Sequence, residues 1–292
     1  MDAVITYVDG QDPLWLEDYS NFAHEQILAK RFRDWGTLPF LLRGMEKHLP
    51  YVKNVFLVVA RESQVPSWID RDNVHIVLHK DIIPEEHLPT FNASMIEMFL
   101  HRIKGLDERY LYFNDDMFPI KDIPEEDFYV DGKGAMAFKK IFLRGSRFKK
   151  LVFCSDRMAR EALGMKNAFY ALQPQHTCSP MLRSECEKLY AQIEDRIMKS
   201  LSPTRAENNF NQYLFLDYMF YKGKAINRRL SNKHFSLGAA PIGKICRFLE
   251  NPDKKLVCIN DVSMSDEKYI SSRKLLLETF GKILPEKSRF EK

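Results

Sequence analysis

Over the first ~120 residues, short apolar runs alternate with longer stretches of helical periodicity. Residues 4–8, 55–60, 74–78 and 110–113 are rich in Val, Ile, Tyr and Phe and are bounded by polar or turn-forming residues, the signature of strands. Between them, residues 38–47 and 93–103 read as helices. In the second, Ile96, Phe99, Leu100 and Ile103 recur at helical spacing, and Thr90 or Asn92 supplies the cap. Strands that alternate with helices predict an α/β sheet. Residues 122–131 read as loop and short strand, and 132–134 as a turn. From about Met158 the pattern turns mainly helical, clearest over 181–201 and 206–221. A loop over 238–243, a late strand over 256–259 returning to the sheet, and a closing helix over 268–280 complete the expectation. It amounts to an α/β core over residues 1–150 and a mainly helical part over 151–292.

Composition narrows the class. The chain has 292 residues, 45% hydrophobic and 29% charged, ordinary for a soluble globular protein with ample core. No run reaches the ~18 apolar residues of a membrane helix. The N-terminus enters its first strand with no basic region or cleavage site, so no signal peptide is expected. Five cysteines, an odd number without any CxxC pair, point to reduced thiols in the cytoplasm rather than to disulfides, and their spacing speaks against zinc. A net charge of +4 does not argue for nucleic acid as a partner. The excess is local, however. Lys139, Lys140, Arg144, Arg147, Lys149 and Lys150 crowd one stretch with Phe142 and Phe148. Such a stretch suits anionic lipid headgroups at the inner face of a membrane, a phosphorylated glycan or a nucleotide, and equally a solvated loop.

Candidate chemistry gathers where strands are expected to end. Asp9-Gly10-Gln11-Asp12-Pro13 follows the first strand, Asn114-Asp115-Asp116 the fourth, and Asn260-Asp261 the late one. In open α/β sheets ligands bind beyond the carboxyl ends of the strands. Oxygen donors converging there suit Mg²⁺ or Mn²⁺ bridging to a diphosphate. A single Asp-Gly is more often only a turn; three such clusters weaken that reading. Glu97 and His101, four apart, share a helix face, either as an acid/base or as a surface pair. His176, in the loop-like 174–180, reads as a proton shuttle or a structural histidine. Arg205, just ahead of the helix expected near 206, reads as a phosphate clamp or an exposed loop arginine.

Taken in order, these stretches resemble the Stealth family of polysaccharide phosphotransferases. Residues 2–15, from Asp2 through Asp9-Gly10-Gln11-Asp12-Pro13 to Trp15, are similar to its first signature region. The second runs from Arg31-Phe32-Arg33-Asp34 to Asn114-Asp115-Asp116-Met117-Phe118, through His79-Lys80-Asp81, Leu88-Pro89-Thr90-Phe91-Asn92 and Ile96-Glu97. The third aligns through His176, Pro180 and Arg205, with Cys178 where a proline is usual, and the fourth is Cys258-Ile259-Asn260-Asp261. The resemblance implies a glycosyltransferase-A-like, Rossmann-like mixed sheet elaborated by helices. It also implies a nucleotide-sugar donor (a UDP-hexose or UDP-N-acetylhexosamine), a glycan acceptor and Mg²⁺ or Mn²⁺. Carried over by position, it implies catalytic roles for Asp2, Glu97, Asp116, His176 and Arg205, with metal held by Asp116 and Asn260 or Asp261. Asp9, Gly10, Asp12, Arg33, Asp34, Asn92 and Asp115 are its candidates for substrate binding. The expected reaction moves a sugar-1-phosphate onto a glycan hydroxyl, with His176 or Glu97 as base. Its rivals are a glycosyltransferase releasing UDP, a nucleotide-sugar hydrolase and a non-catalytic glycan-binding module.

Overall fold

A computed structural model describes residues 1–22, 32–142 and 147–292, apart from the side chain of Arg147. Arg31 and Arg144 therefore lie outside the described residues. In chain order the elements are β1 (Asp2–Thr6), α1 (Pro13–Phe22), α2 (Leu38–His48), β2 (Val55–Val59), β3 (Val74–Leu78), α3 (His79–Ile82), α4 (Ala93–Glu97), β4 (Arg109–Asn114), β5 (Met117–Pro119), β6 (Tyr129–Val130), β7 (Lys133–Met136) and β8 (Phe138–Phe142). They continue with α5 (Arg147–Ala162), β9 (Tyr170–Pro174), β10 (Ser179–Leu182), α6 (Arg183–Ser200), α7 (Tyr213–Tyr221), β11 (Ala225–Asn227), β12 (Asn232–Ser236), α8 (Ile242–Glu250), β13 (Leu256–Asn260) and α9 (Asp266–Ile283).

The main sheet is ordered β10-β4-β1-β2-β3. β4, β1, β2 and β3 are parallel, and β10 runs antiparallel along β4, so the expected mixed α/β sheet is present. Its central strands are near-continuous apolar runs because both faces are covered; every residue of β2 is buried. Thr6 stands beside both Val58 and Asn114, which brings the carboxyl ends of β1, β2 and β4 level. A second sheet, β12-β13-β5, pairs β13 antiparallel to β5 and parallel to β12. Helix α2 ties the two together. Its buried stripe of Leu38, Leu41, Leu42 and Met45 faces the core, and Lys47 and His48 sit in its last turn, where cations are favoured. At Gly44 an added Cβ would lie 2.5 Å from the carbonyl oxygen of Pro119, so only glycine lets α2 close on β5. The turn between β4 and β5, carrying Asp115 and Asp116, is held from both sides.

The structure corrects several expectations. The helix read over 93–103 ends at Glu97, and a 3-10 turn covers Leu100–Arg102. Residues 94–101 are all buried, so neighbours on every side, not an amphipathic pattern, set this path. The helix read over 181–201 is β10 followed by α6, and that read over 206–221 is helical only in α7. The late strand, β13, joins the second sheet, and it is β10 that returns to the main one. Residues 151–292 hold most of α5 and helices α6 to α9, together with the short strands β9 to β13. Among these strands β12 (NKHFS) is short and polar-rich, so it forms only where a partner strand is supplied from elsewhere. The expected boundary at residue 150 falls inside α5, and residues of both halves share one hydrophobic cluster.

Candidate active site

A cleft of about 620 Å³ opens at the carboxyl ends of the parallel strands. Thr6 and Tyr7 follow β1 into it, Ala60 follows β2, His79 follows β3, and Asn114, Asp115 and Asp116 follow β4. Asn260 and Asp261 enter from the end of β13. Their arrival beside Asp116 follows from strand pairing, since Ile259 N–H donates to the Asp116 carbonyl at 2.9 Å. Arg33, Asp34, His176 and Arg205 complete the polar lining. Residues from widely separated stretches of the chain thus meet in one space.

Two of the acidic residues sit in a strongly perturbed environment. Burial, with Asp116 and Asp34 close by, pushes the Asp115 carboxyl up to about 8. Burial also pushes the Asp116 carboxyl above its ordinary range, opposed by the His176 imidazole. His176 is in turn pushed below its ordinary value by burial, opposed by Asp116, and so favours the neutral ring. Asp116 Oδ2 accepts from Cys258 Sγ at 3.5 Å, whereas Asp116 Oδ1 and Asn114 Oδ1 are buried without a hydrogen-bond partner among the described residues. Such orphaned oxygens cost about 1–3 kcal/mol each unless something fills them. An all-oxygen donor set of this kind fits a hard cation.

Arg33 lines the same cleft, paired with acids at and beyond the end of β13. Its Nη1 is 3.9 Å from Asp261 Oδ2 and its Nη2 is 3.4 Å from Asp266 Oδ1. Its guanidinium lies 4.5 Å above the Tyr269 ring. Stacking fixes the fork in place while Nη1 has no hydrogen-bond partner among the described residues. Across the cleft, Trp15, Phe32 and Phe91 form an aromatic wall, with ring centroids 4.7 and 5.3 Å from Trp15.

Other expected residues lie outside the lining, and their contacts explain why. Asp2 is at the opposite end of β1, about 13 Å from Thr6 at the rise of an extended strand. There it is fully buried and accepts from Asn54 Nδ2 at 2.9 Å and from Asp107 N–H at 2.8 Å. Asp2 fastens strand ends and does not reach the cleft. Asp9 accepts from the Gln11 N–H at 2.9 Å in a turn, and Asp12 accepts from the Leu14 N–H at 3.0 Å, capping α1. Gly10 is where the chain passes against Phe32, whose carbonyl accepts the Gly10 N–H at 3.0 Å; an added Cβ would collide with that carbonyl. None of these three residues is in the cleft lining.

Glu97 and Asn92 act through neighbours. Glu97 is buried, accepting from Gln212 N–H at 2.8 Å and from Tyr112 Oη at 3.3 Å. Burial pushes its carboxyl up to about 7, opposed by those two bonds and by the Arg205 charge. Neither Glu97 nor His101 is a surface residue, so the surface-pair reading fails. Asn92 is fully buried. Its Oδ1 caps α4 by accepting from Ser94 N–H at 3.2 Å. Its Nδ2 donates to the Ser202 and Thr204 carbonyls at 3.1 and 3.2 Å and to Asn209 Oδ1 at 2.9 Å. That set pins the loop bearing Arg205, which is exposed and far ahead of α7 rather than at a helix start. Sequence reasoning missed Asn209 and the aromatic wall. An asparagine in an irregular polar segment carries no periodic signal, and the wall is assembled from three separate stretches.

The family described as Stealth protein CR2, conserved region 2, matches residues 31–137. The exopolysaccharide phosphotransferase cps2G of Lactiplantibacillus plantarum is 29% identical over 328 aligned positions, covering 100% of this chain and 96% of that protein. The capsular polysaccharide phosphotransferase eps5J of Streptococcus thermophilus is 37% identical over 163, covering 52% of this chain and 68% of that protein. Among solved structures, the galactosyltransferase LgtC aligns over 97% of this chain and 96% of its own at 11% identity and a TM-score of 0.43, too loose a likeness to decide the fold.

Proposed function

The chain belongs to the Stealth family, and from that premise we propose that it transfers a sugar-1-phosphate from a UDP-sugar to a glycan hydroxyl in surface-polysaccharide synthesis. The observation that carries the reading is the convergence of Asp116, His176, Arg205 and Asp261 on one cleft at the carboxyl ends of the sheet. Asp116, with Asn260 and Asp261, would hold Mg²⁺ or Mn²⁺, which when bound neutralises diphosphate charge. Relatives named as capsular and exopolysaccharide phosphotransferases support the substrate class.

The chain's own residues then divide the work. Phe32 and Phe91, backed by the buried Trp15, offer ring surface to the nucleobase. Arg33, whose Nη1 donates no hydrogen bond among the described residues, and Arg205 offset phosphate charge. The acceptor hydroxyl attacks the phosphorus next to the sugar, the phosphoanhydride bond to UMP breaks, and the hydroxyl proton passes to His176. His176 lines the cleft, whereas both Glu97 oxygens already accept hydrogen bonds, so Glu97 positions Gln212 and not the proton. The anomeric C–O bond stays intact, and the sugar keeps its configuration. Positioning and charge compensation supply most of the rate in such transfers. Exposed Lys140 and Phe142, on one face of β8, offer a surface for peripheral contact with an anionic membrane. Among the described residues no helix is long and apolar enough to cross one.

Incubation with a UDP-sugar, Mg²⁺ and glycan acceptors tests the reaction. UMP together with phosphate incorporated into glycan is expected. Release of UDP, UMP without a glycan product, or no nucleotide at all would each overturn the assignment, in favour of glycosyl transfer, hydrolysis or simple binding respectively.

A further inference from the structure

Beside the oxygen-lined part of the cleft lies a second cluster of different chemistry. His234 stands directly opposite Cys258 in the parallel pairing of β12 with β13, so their side chains leave the same face of adjacent strands. His176, arriving from the loop between β9 and β10, brings its ring centroid to 5.8 Å from that of His234. One nitrogen from each histidine and the Cys258 sulfur all lie within 4.8 Å of one another. A fourth donor is adjacent, since Asp116 Oδ2 is 3.5 Å from Cys258 Sγ.

These separations suit a tetrahedral ion. With Zn–S of about 2.3 Å and Zn–N or Zn–O of about 2.0 Å, the edges of such a site are about 3.3–3.6 Å. The sulfur–carboxylate edge already has that length, and the remaining edges need side-chain rotations of about 1 Å to close. Imidazole and thiolate prefer a borderline-soft cation, whereas the oxygens of Asn114, Asp116 and Asp261 prefer a hard one. Spacing along the sequence conceals the cluster, because its ligands come from three separate stretches and no CxxC joins them.

We propose that His176, His234 and Cys258 form a binding site for a borderline-soft divalent cation, zinc being the type, and that its occupancy silences the cleft by withdrawing His176 from proton transfer. The thiol proton and any imidazole proton leave to solvent as the ion binds. The binding half stands on geometry alone; the inhibitory half rests on the transferase reading above.

Cobalt titration of chelator-treated full-length protein tests the binding half, because Co²⁺ bound by sulfur shows a thiolate-to-cobalt charge-transfer band. The band should saturate at one equivalent, be displaced by zinc and be lost in Cys258→Ser. His234→Gln, at an exposed position, should weaken cobalt binding at least about tenfold, as even outer-shell changes do, and it keeps the test decisive if Cys258→Ser does not fold. No band, a band that survives Cys258→Ser, or wild-type affinity in His234→Gln overturns the site. In the UMP-release assay with Mg²⁺ in excess, zinc should stop the wild type while His234→Gln keeps turning over at the same zinc concentration and has an unchanged zinc-free rate. Turnover indifferent to zinc in a protein that shows the band overturns the inhibitory half. A protein that shows the band yet never releases UMP overturns the transferase reading and the inhibitory half with it, while the cation site stands.

Discussion

Asn92→Asp keeps the shape of the side chain and reverses the polarity of the end that holds the Arg205 loop. Oδ1 still caps α4. In place of the amide, an oxygen faces the Ser202 and Thr204 carbonyls and Asn209 Oδ1, all within 3.2 Å of the present Nδ2. Two donated protons are lost at about 1 kcal/mol net each, and a buried charge is left facing acceptors. Uncompensated buried charges cost about 3–5 kcal/mol, so a loss of about 3–4 kcal/mol is expected near pH 8. For a chain of this size that lowers Tm by roughly 5–7 °C. The sign of the pH dependence follows. A penalty of about 3 kcal/mol on the ionised form lifts the introduced carboxyl about two pH units above its value in the unfolded chain. The deficit against wild type is therefore complete above roughly pH 6 and shrinks as pH falls towards about 4. Glu97 titrates in the same range in both proteins, and its contribution cancels in the difference. Thermal unfolding of both proteins at pH 5 and pH 8, with UMP-release kcat at pH 8, measures this. A variant with wild-type Tm at pH 8, or with unchanged kcat, refutes the view that Asn92 holds Arg205 in place.

Asp116→Asn should lower UMP release at least about a thousandfold with little change in Tm, because it removes charge from the cleft rather than apolar contact from the core; unchanged turnover would disprove its role. Asp2→Ala should behave in the opposite way, losing about 2–3 kcal/mol of stability as Asn54 Nδ2 and Asp107 N–H lose their acceptor, with kcat of the folded fraction retained. A catalytic defect in stably folded Asp2→Ala protein would return that residue to the chemistry. Glu97, pushed up to about 7 by burial, contributes stability that is fully present below its ordinary value near 4.5 and is lost as pH rises through about 7. Glu97→Gln should flatten that slope, and parallel stability–pH curves for the two proteins would contradict the burial described.

The sequence alone determined the strands of the parallel core and the acidic turns that follow them. Both are local signals. A strand covered on both faces must be continuously apolar, as Val55–Val59 is, and a chain leaving it must turn through polar residues. The same local view could not tell one acidic turn from another. Asp9 and Asp12 spend their carboxylates on the turn and the cap of α1, whereas Asp115, Asp116 and Asp261 face the cleft. What separates them is the pairing of β13 with β5, a contact between segments more than 130 residues apart in the chain. Asp2 precedes the expected first strand, so its place at the end of the sheet away from the acidic turns was legible, but its partners Asn54 and Asp107 were not. Buried polar networks were likewise decided only in three dimensions, as with Asn92 and Asn209 around Arg205. Periodicity reports which face of an element meets the core; it carries no information on which distant backbone supplies the partner.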